Sequence, residues 1–154
     1  MEEETGLSTS LVRRPTGRYA LRYLSAPETL SIDANGTARS DTVCLEPQEN
    51  RLRMVRSMEN RATTLRRLEG AALRTLEGSY FCDAPSLDAR LKIVNAGDAL
   101  YGVFFGAFGS GRMEQMRHVG GDVWILACFR VLDVAPPGDW TISMNPDGYL
   151  SVGC

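Results

Sequence analysis

Turn-forming residues interrupt this chain at short intervals, and the segments between them alternate apolar and polar side chains with a period of two. A chain divided in this way leaves little room for long helices and reads as antiparallel sheet, where successive side chains face opposite sides. Segment 18–24 places Tyr19, Leu21 and Tyr23 on one face. Segment 29–34 runs into Asn35-Gly36, the strongest short hairpin signal, read as a turn whose two central residues both take positive φ. Segment 39–45 returns with Val43 and Leu45 on one side, and 51–56 sets Leu52 and Met54 against Arg51, Arg53 and Val55.

The stretch 60–76 breaks the pattern. Leu65, Leu68, Leu73 and Leu76 have near-helical spacing, but Gly70 interrupts them and no cap precedes them, so a connection with a helical turn or two is expected there. From Gly78 onward the alternation resumes, with seven expected strands. Gly102, Gly106 and Gly109 lie where a sheet would bend or bulge, and Asn145-Pro146-Asp147-Gly148 makes a strong turn. A glycine-bent, consecutive set of strands implies a closed barrel. Overlaying the halves at an offset of 80 matches Leu7 with Leu87, Gly17 with Gly97 and Val43 with Val123. The expected architecture is therefore all-β, with two antiparallel lipocalin-like barrels. Residues 1–70 form part of a first barrel, which lacks its opening strand, and 71–154 form a second.

Composition narrows the function. With 44% hydrophobic and 23% charged residues the chain can bury a core without staples. Its longest apolar run, 123–129, is strand length and falls short of the ~18 residues of a membrane span. The opening Met1-Glu2-Glu3-Glu4 is acidic where an export signal would be basic, so a cytoplasmic location and no membrane partner are expected. Cys44, Cys82, Cys128 and Cys154 are widely spaced and His118 is the sole histidine, so no metal site is expected and the cysteines read as buried thiols. Arginines 51, 53, 56, 61, 66, 67 and 74 are balanced nearby only by Glu59 and Glu69. They lack interleaved aromatics for base stacking, so a solvated, ion-paired face is favoured over nucleic acid.

Catalytic patterns are absent from the residues themselves. The one lysine, Lys92, follows Ala89 rather than a serine at the Ser-x-x-Lys spacing, and no Gly-x-Ser-x-Gly is present. His118 reads as a surface histidine. Gly106-Ala107-Phe108-Gly109-Ser110-Gly111 reads as a glycine-rich hairpin rather than a phosphate loop, and no cofactor is expected. The run Val131 to Trp140 stands apart. Pro136 and Pro137 stiffen it, Gly138 allows reversal, and Asp139 and Trp140 follow at once.

Gly78-Ser79-Tyr80, Leu91-Lys92-Ile93, Val123-Trp124, Leu132-Asp133 with Pro136-Pro137-Gly138-Asp139-Trp140-Thr141, and Gly153-Cys154 together resemble the last domain of the bacterial serine D-aminopeptidases. Glu4-Thr5-Gly6-Leu7, Tyr19-Ala20-Leu21-Arg22-Tyr23 and Pro27-Glu28 resemble their middle domain. These are penicillin-recognising, class C β-lactamase-like enzymes. The resemblance implies two antiparallel barrels that follow a catalytic domain, with a loop of the last barrel reaching the catalytic cleft. It places that loop at Asp133, Pro136, Pro137, Gly138 and Asp139, with Asp139 helping to accept a free amino terminus. The serine, lysine and tyrosine of the catalytic domain are absent from this chain. The implied partner is accordingly a catalytic penicillin-recognising-type domain or subunit; a homo-oligomer stays open. The competing reading is a lipocalin-like carrier lined by Phe104, Phe105, Trp124 and Phe129, and an open cavity would favour it.

Overall fold

The computed structural model describes residues 1–22, 27–72, 75–82, 84, 86–109, 111–127 and 139–153. Those residues form strands and turns only, and every strand pairing is antiparallel, so the fold is all-β. The chain divides into two compact units, Met1–Leu68 and Glu69–Cys154.

The first unit is one sheet of consecutive strands, β1 (Ser10–Arg13), β2 (Tyr19–Arg22), β3 (Glu28–Ile32), β4 (Ala38–Arg39), β5 (Val43–Gln48), β6 (Arg51–Arg56) and β7 (Arg61–Arg66). Leu21, Leu30, Ala38, Val43, Leu45, Met54 and Leu65 alternate onto one face and form its core. The free edge of β7 is taken up by the first residues of the chain. Glu2 bridges to Leu65, Arg66 N–H donates to the Met1 carbonyl at 2.9 Å, and Glu3 N–H donates to the Thr64 carbonyl at 2.8 Å. That pairing forces the sheet to curl. Glu2 beyond β7 would lie about 34 Å from β1 in a flat sheet, at about 4.8 Å per strand. The eight residue steps to Ser10 span at most about 29 Å. The turn held by Glu2 N–H on the Leu7 carbonyl at 2.9 Å shortens the reach further.

Residues 61–66 form strand β7, not the expected connection. Thr63 and Thr64 suit a pleated backbone, and Leu65 and Ala62 find apolar partners in Leu52 and Val55. Cross-strand packing thus overrides the near-helical leucine spacing. The Asn35-Gly36 turn also differs from expectation. Gly36 alone has positive φ, at 82°, while Asp33 Oδ1 accepts from Asn35 N–H at 2.9 Å and Thr37 N–H at 3.0 Å. An aspartate that organises the backbone two residues on replaces the need for a left-handed asparagine. Segments 14–18 and 145–149 share only the backbone part of this turn, the glycine N–H that Gly36 gives to the Asp33 carbonyl at 3.1 Å. Gly17 N–H donates to the Arg14 carbonyl at 3.0 Å, and Gly148 N–H donates to the Asn145 carbonyl at 3.0 Å.

The second unit holds two four-stranded sheets. One comprises β8 (Gly78–Phe81), β9 (Ala89–Ala96), β10 (Ala99–Gly106) and β11 (Glu114–Gln115). The other comprises β12 (Arg117–Gly120), β13 (Val123–Leu126), β14 (Trp140–Met144) and β15 (Leu150–Gly153). Strands β11 and β12 are separated only by Met116, so one continuous stretch turns the corner between the sheets. Leu91, Ile93 and Phe104 from the first sheet meet Trp124, Leu126, Trp140 and Ile142 from the second in a single core, with Leu76 and Met116. Gly102 fits this interior because a Cβ there would lie 3.0 Å from a Leu126 methyl and 3.2 Å from Met116 Sδ.

Candidate functional site

Asp139 is half-buried and immediately precedes β14, where Trp140 is buried to 4% exposure and pairs in register with Leu126. The indole is held from two directions. The Phe104 ring lies 5.0 Å away with planes at 46°, and the Phe108 ring lies 5.3 Å away at 59°. The two phenyl rings meet edge to face at 6.4 Å. Offset and tilted arrangements of this kind suit the aromatic quadrupole and resist sliding. The backbone at Asp139 is therefore tied to one of the best-anchored side chains in the unit.

Phe108 belongs to a turn that admits little else. Gly106 has φ 74°, and a Cβ there would lie 2.0 Å from the Asp88 carbonyl oxygen. A Cβ on Gly109 would lie 2.6 Å from Phe105 Cα. Ala107 N–H donates to the Asp88 carbonyl at 2.7 Å, and Gly109 N–H donates to the Gly106 carbonyl at 3.0 Å. The glycines that the sequence offered as sheet bends are thus a backbone clamp, and the turn they form presents Phe108 to Trp140. Sequence reasoning named the glycines and missed the phenylalanine between them.

Of the other loop residues expected at the site, Asp133, Pro136, Pro137 and Gly138 lie outside the described residues, as does Phe129 of the carrier lining. Phe104 and Trp124 belong to the packed core, at 7% and 4% exposure, whereas Phe105 is 39% exposed. Phe104 and Phe105 are neighbours on β10, and alternation sends them to opposite faces, so the two do not line one interior. A solvent-open depression of about 430 Å³ lies at the bend between β5 and β6, lined by Gln48, Glu49, Asn50 and Arg51. It shares no residue with the aromatic set and offers a polar wall.

The remaining chemistry is dispersed. His118 is exposed on β12, with Nε2 2.6 Å from the Gly121 carbonyl oxygen and its ring 5.1 Å from Trp124. Pairing of β8 with β9 sets Ser79 opposite Lys92, a juxtaposition invisible to a search for Ser-x-x-Lys. Both are exposed, whereas nucleophilic use of such a pair needs a desolvated lysine. Tyr80 has its phenol pushed up by burial, and its hydroxyl donates to the Leu76 carbonyl at 2.8 Å. Cys44 is a half-buried free thiol and Cys82 an exposed one, the latter against expectation, since β8 ends before it and leaves it outside the core. Cys128 and Cys154 lie outside the described residues. Among the described residues no three His, Cys, Asp or Glu side chains converge as a metal site would require.

Three arginines of the cluster in the first unit pair with acids. Arg51 pairs with Glu3 at 3.1 Å, Arg53 with Glu46 at 2.8 Å, and Arg56 with Glu2 at 3.0 Å and Glu59 at 3.2 Å. Arg74 lies outside the described residues.

A family profile described as D-aminopeptidase, domain B, matches residues 1–153. The chain is 34% identical over 159 residues to a D-aminopeptidase of Brucella anthropi. It is 37% identical over 165 residues to a D-aminopeptidase of Gluconobacter oxydans (strain 621H), and 32% identical over 159 residues to one of Brucella ovis. Each alignment takes in 100% of the chain but only 30% or 31% of the relative, so the chain spans about three tenths of the length of these relatives.

Proposed function

Because the chain belongs to the D-aminopeptidase domain B family, we propose that it is a non-catalytic β-barrel region of a D-aminopeptidase-like serine hydrolase, shaping the substrate site of a separate catalytic domain. The match along 1–153, set against three tenths of each relative, carries this reading. In it, Asp139 supplies a carboxylate at the rim of the catalytic cleft. A carboxylate whose neighbouring backbone is already anchored loses little freedom on docking and can meet a substrate ammonium group with a charge-assisted hydrogen bond. The burial of Trp140 beside it provides that anchor. The carrier reading needs Phe104 and Trp124 to face a void, and both sit in the packed core.

The test is reconstitution. The isolated chain should not hydrolyse D-alanine amide above buffer. The same chain, joined to the remainder of the Brucella anthropi D-aminopeptidase in place of the matching region, should restore turnover that the remainder alone lacks. Hydrolysis by the isolated chain, abolished by one serine-to-alanine change, would overturn the proposal. So would a chimera no more active than the remainder alone.

A further inference from the structure

Phe108 is 37% exposed, yet its ring is fixed over Trp140 by a turn whose two glycines cannot gain a Cβ without displacing backbone. A ring that served only to fill the core would be better placed inside it, as Phe104 is at 7% exposure. Phe108 instead packs against the indole of Trp140, the residue directly after Asp139. Any rocking of Trp140 would carry the Asp139 backbone with it, and the Phe104 and Phe108 rings both lie against that indole.

We infer that Phe108 is a positioning residue for Asp139, acting through Trp140, and that the 106–109 turn is a second structural component of substrate recognition. The inference rests on the proposed role of Asp139. The turn is itself tied to the β9 side of the unit, because Ala107 N–H donates to the Asp88 carbonyl at 2.7 Å. A turn tied to Asp88 holds Phe108 against Trp140, and with it the point at which the carboxylate stands. Misplacement of a positioned group by about 1 Å can cost about a hundredfold in catalytic efficiency, so loss of one side of the clamp is expected to be felt in kcat/KM.

The experiment uses the full chain joined to the remainder of the Brucella anthropi enzyme and compares kcat/KM for D-alanine amide with that for its N-acetyl derivative. Phe108→Ala should lower the free-amine preference by about tenfold. The loss should appear mainly in KM, Phe108→Tyr should retain the preference, and the second unit should remain folded at the assay temperature. Asp139→Asn is run alongside. If Asp139→Asn lowers the preference and Phe108→Ala leaves it unchanged, the positioning role is wrong and the proposed function stands. If Asp139→Asn itself has no effect, the proposed role of Asp139 falls and this inference falls with it. Should Phe108→Ala fail to fold, Phe108→Leu is read by the same ratio. A preference equal to that of the unsubstituted chimera would overturn the role, and a reduced one would support it.

Discussion

Arg56 Nη1 donates to Glu2 Oε1 at 3.0 Å, and the two side chains, 54 positions apart, are 6% and 1% exposed. Thr5 Oγ1 donates to the other Glu2 oxygen at 2.7 Å. The pairing of β6 with β7 sets Arg51 opposite Arg66 and Arg56 opposite Arg61, an arrangement that like-charge repulsion disfavours. The acidic run that opens the chain offsets it.

Arg56→Ala leaves the buried Glu2 carboxylate without its counter-charge and should destabilise the first unit by about 3–5 kcal/mol. Glu2→Ala should cost less, because Arg56 keeps Glu59 at 3.2 Å. Replacing both together, Glu2→Leu with Arg56→Met, should recover most of that loss. Both tryptophans lie in the second unit, so amide exchange in β6 and β7 is the suitable measurement. Equal destabilisation by the single and double variants would refute the coupling.

Glu4 gives the first unit a pH dependence. Both its carboxylate oxygens accept from Thr64 N–H at 2.9 Å. Desolvation, the largest single influence, pushes the carboxyl up. It is outweighed by hydrogen bonds from the Glu4 and Thr64 amides and the Thr64 hydroxyl, and by the Arg61 charge, so the group is held below its ordinary 4.5. A carboxyl depressed in the folded state contributes stability that is present above 4.5 and is lost as pH falls through the lower folded value. Glu4→Gln should therefore flatten the acid limb of first-unit stability and lower it at neutral pH. An unchanged acid limb would contradict this.

Some of this was legible from residues alone. Val43 and Leu45, or Leu91 and Ile93, are separated by a single position and duly face a core. Arg56 was read with the other arginines as solvated, yet it shares the face of Leu52 and Met54 and is buried, and its partner Glu2 could not be found because sheet closure brings them together. Strand β7 was obscured because its leucines also fit a helix, and only pairing with β6 decides between them. Phe108 was hidden for a related reason: its importance lies in contact with Trp140, and nothing local marks that contact.

Gly102 and Gly106 separate two kinds of crowding. At Gly102 a Cβ meets the mobile ends of Leu126 and Met116, so Gly102→Ala should destabilise the second unit by about 1 kcal/mol, the low end for overpacking. At Gly106 the obstacle is the Asp88 backbone at 2.0 Å, with φ at 74°, and Gly106→Ala should cost more than Gly102→Ala. Tryptophan fluorescence during urea unfolding measures both. The reverse order would mean that the 106–109 turn relaxes freely and does not act as a clamp.

The most direct measurement is the free-amine preference of the joined enzyme with and without the Asp139 charge. It is taken as the ratio of kcat/KM for D-alanine amide to that for N-acetyl-D-alanine amide. Replacing a charged hydrogen-bond acceptor by a neutral one, Asp139→Asn, should reduce that ratio by about tenfold or more while leaving the melting temperature in place. A ratio unchanged by Asp139→Asn would contradict the proposed role and leave the burial of Trp140 as the whole reason for this part of the chain.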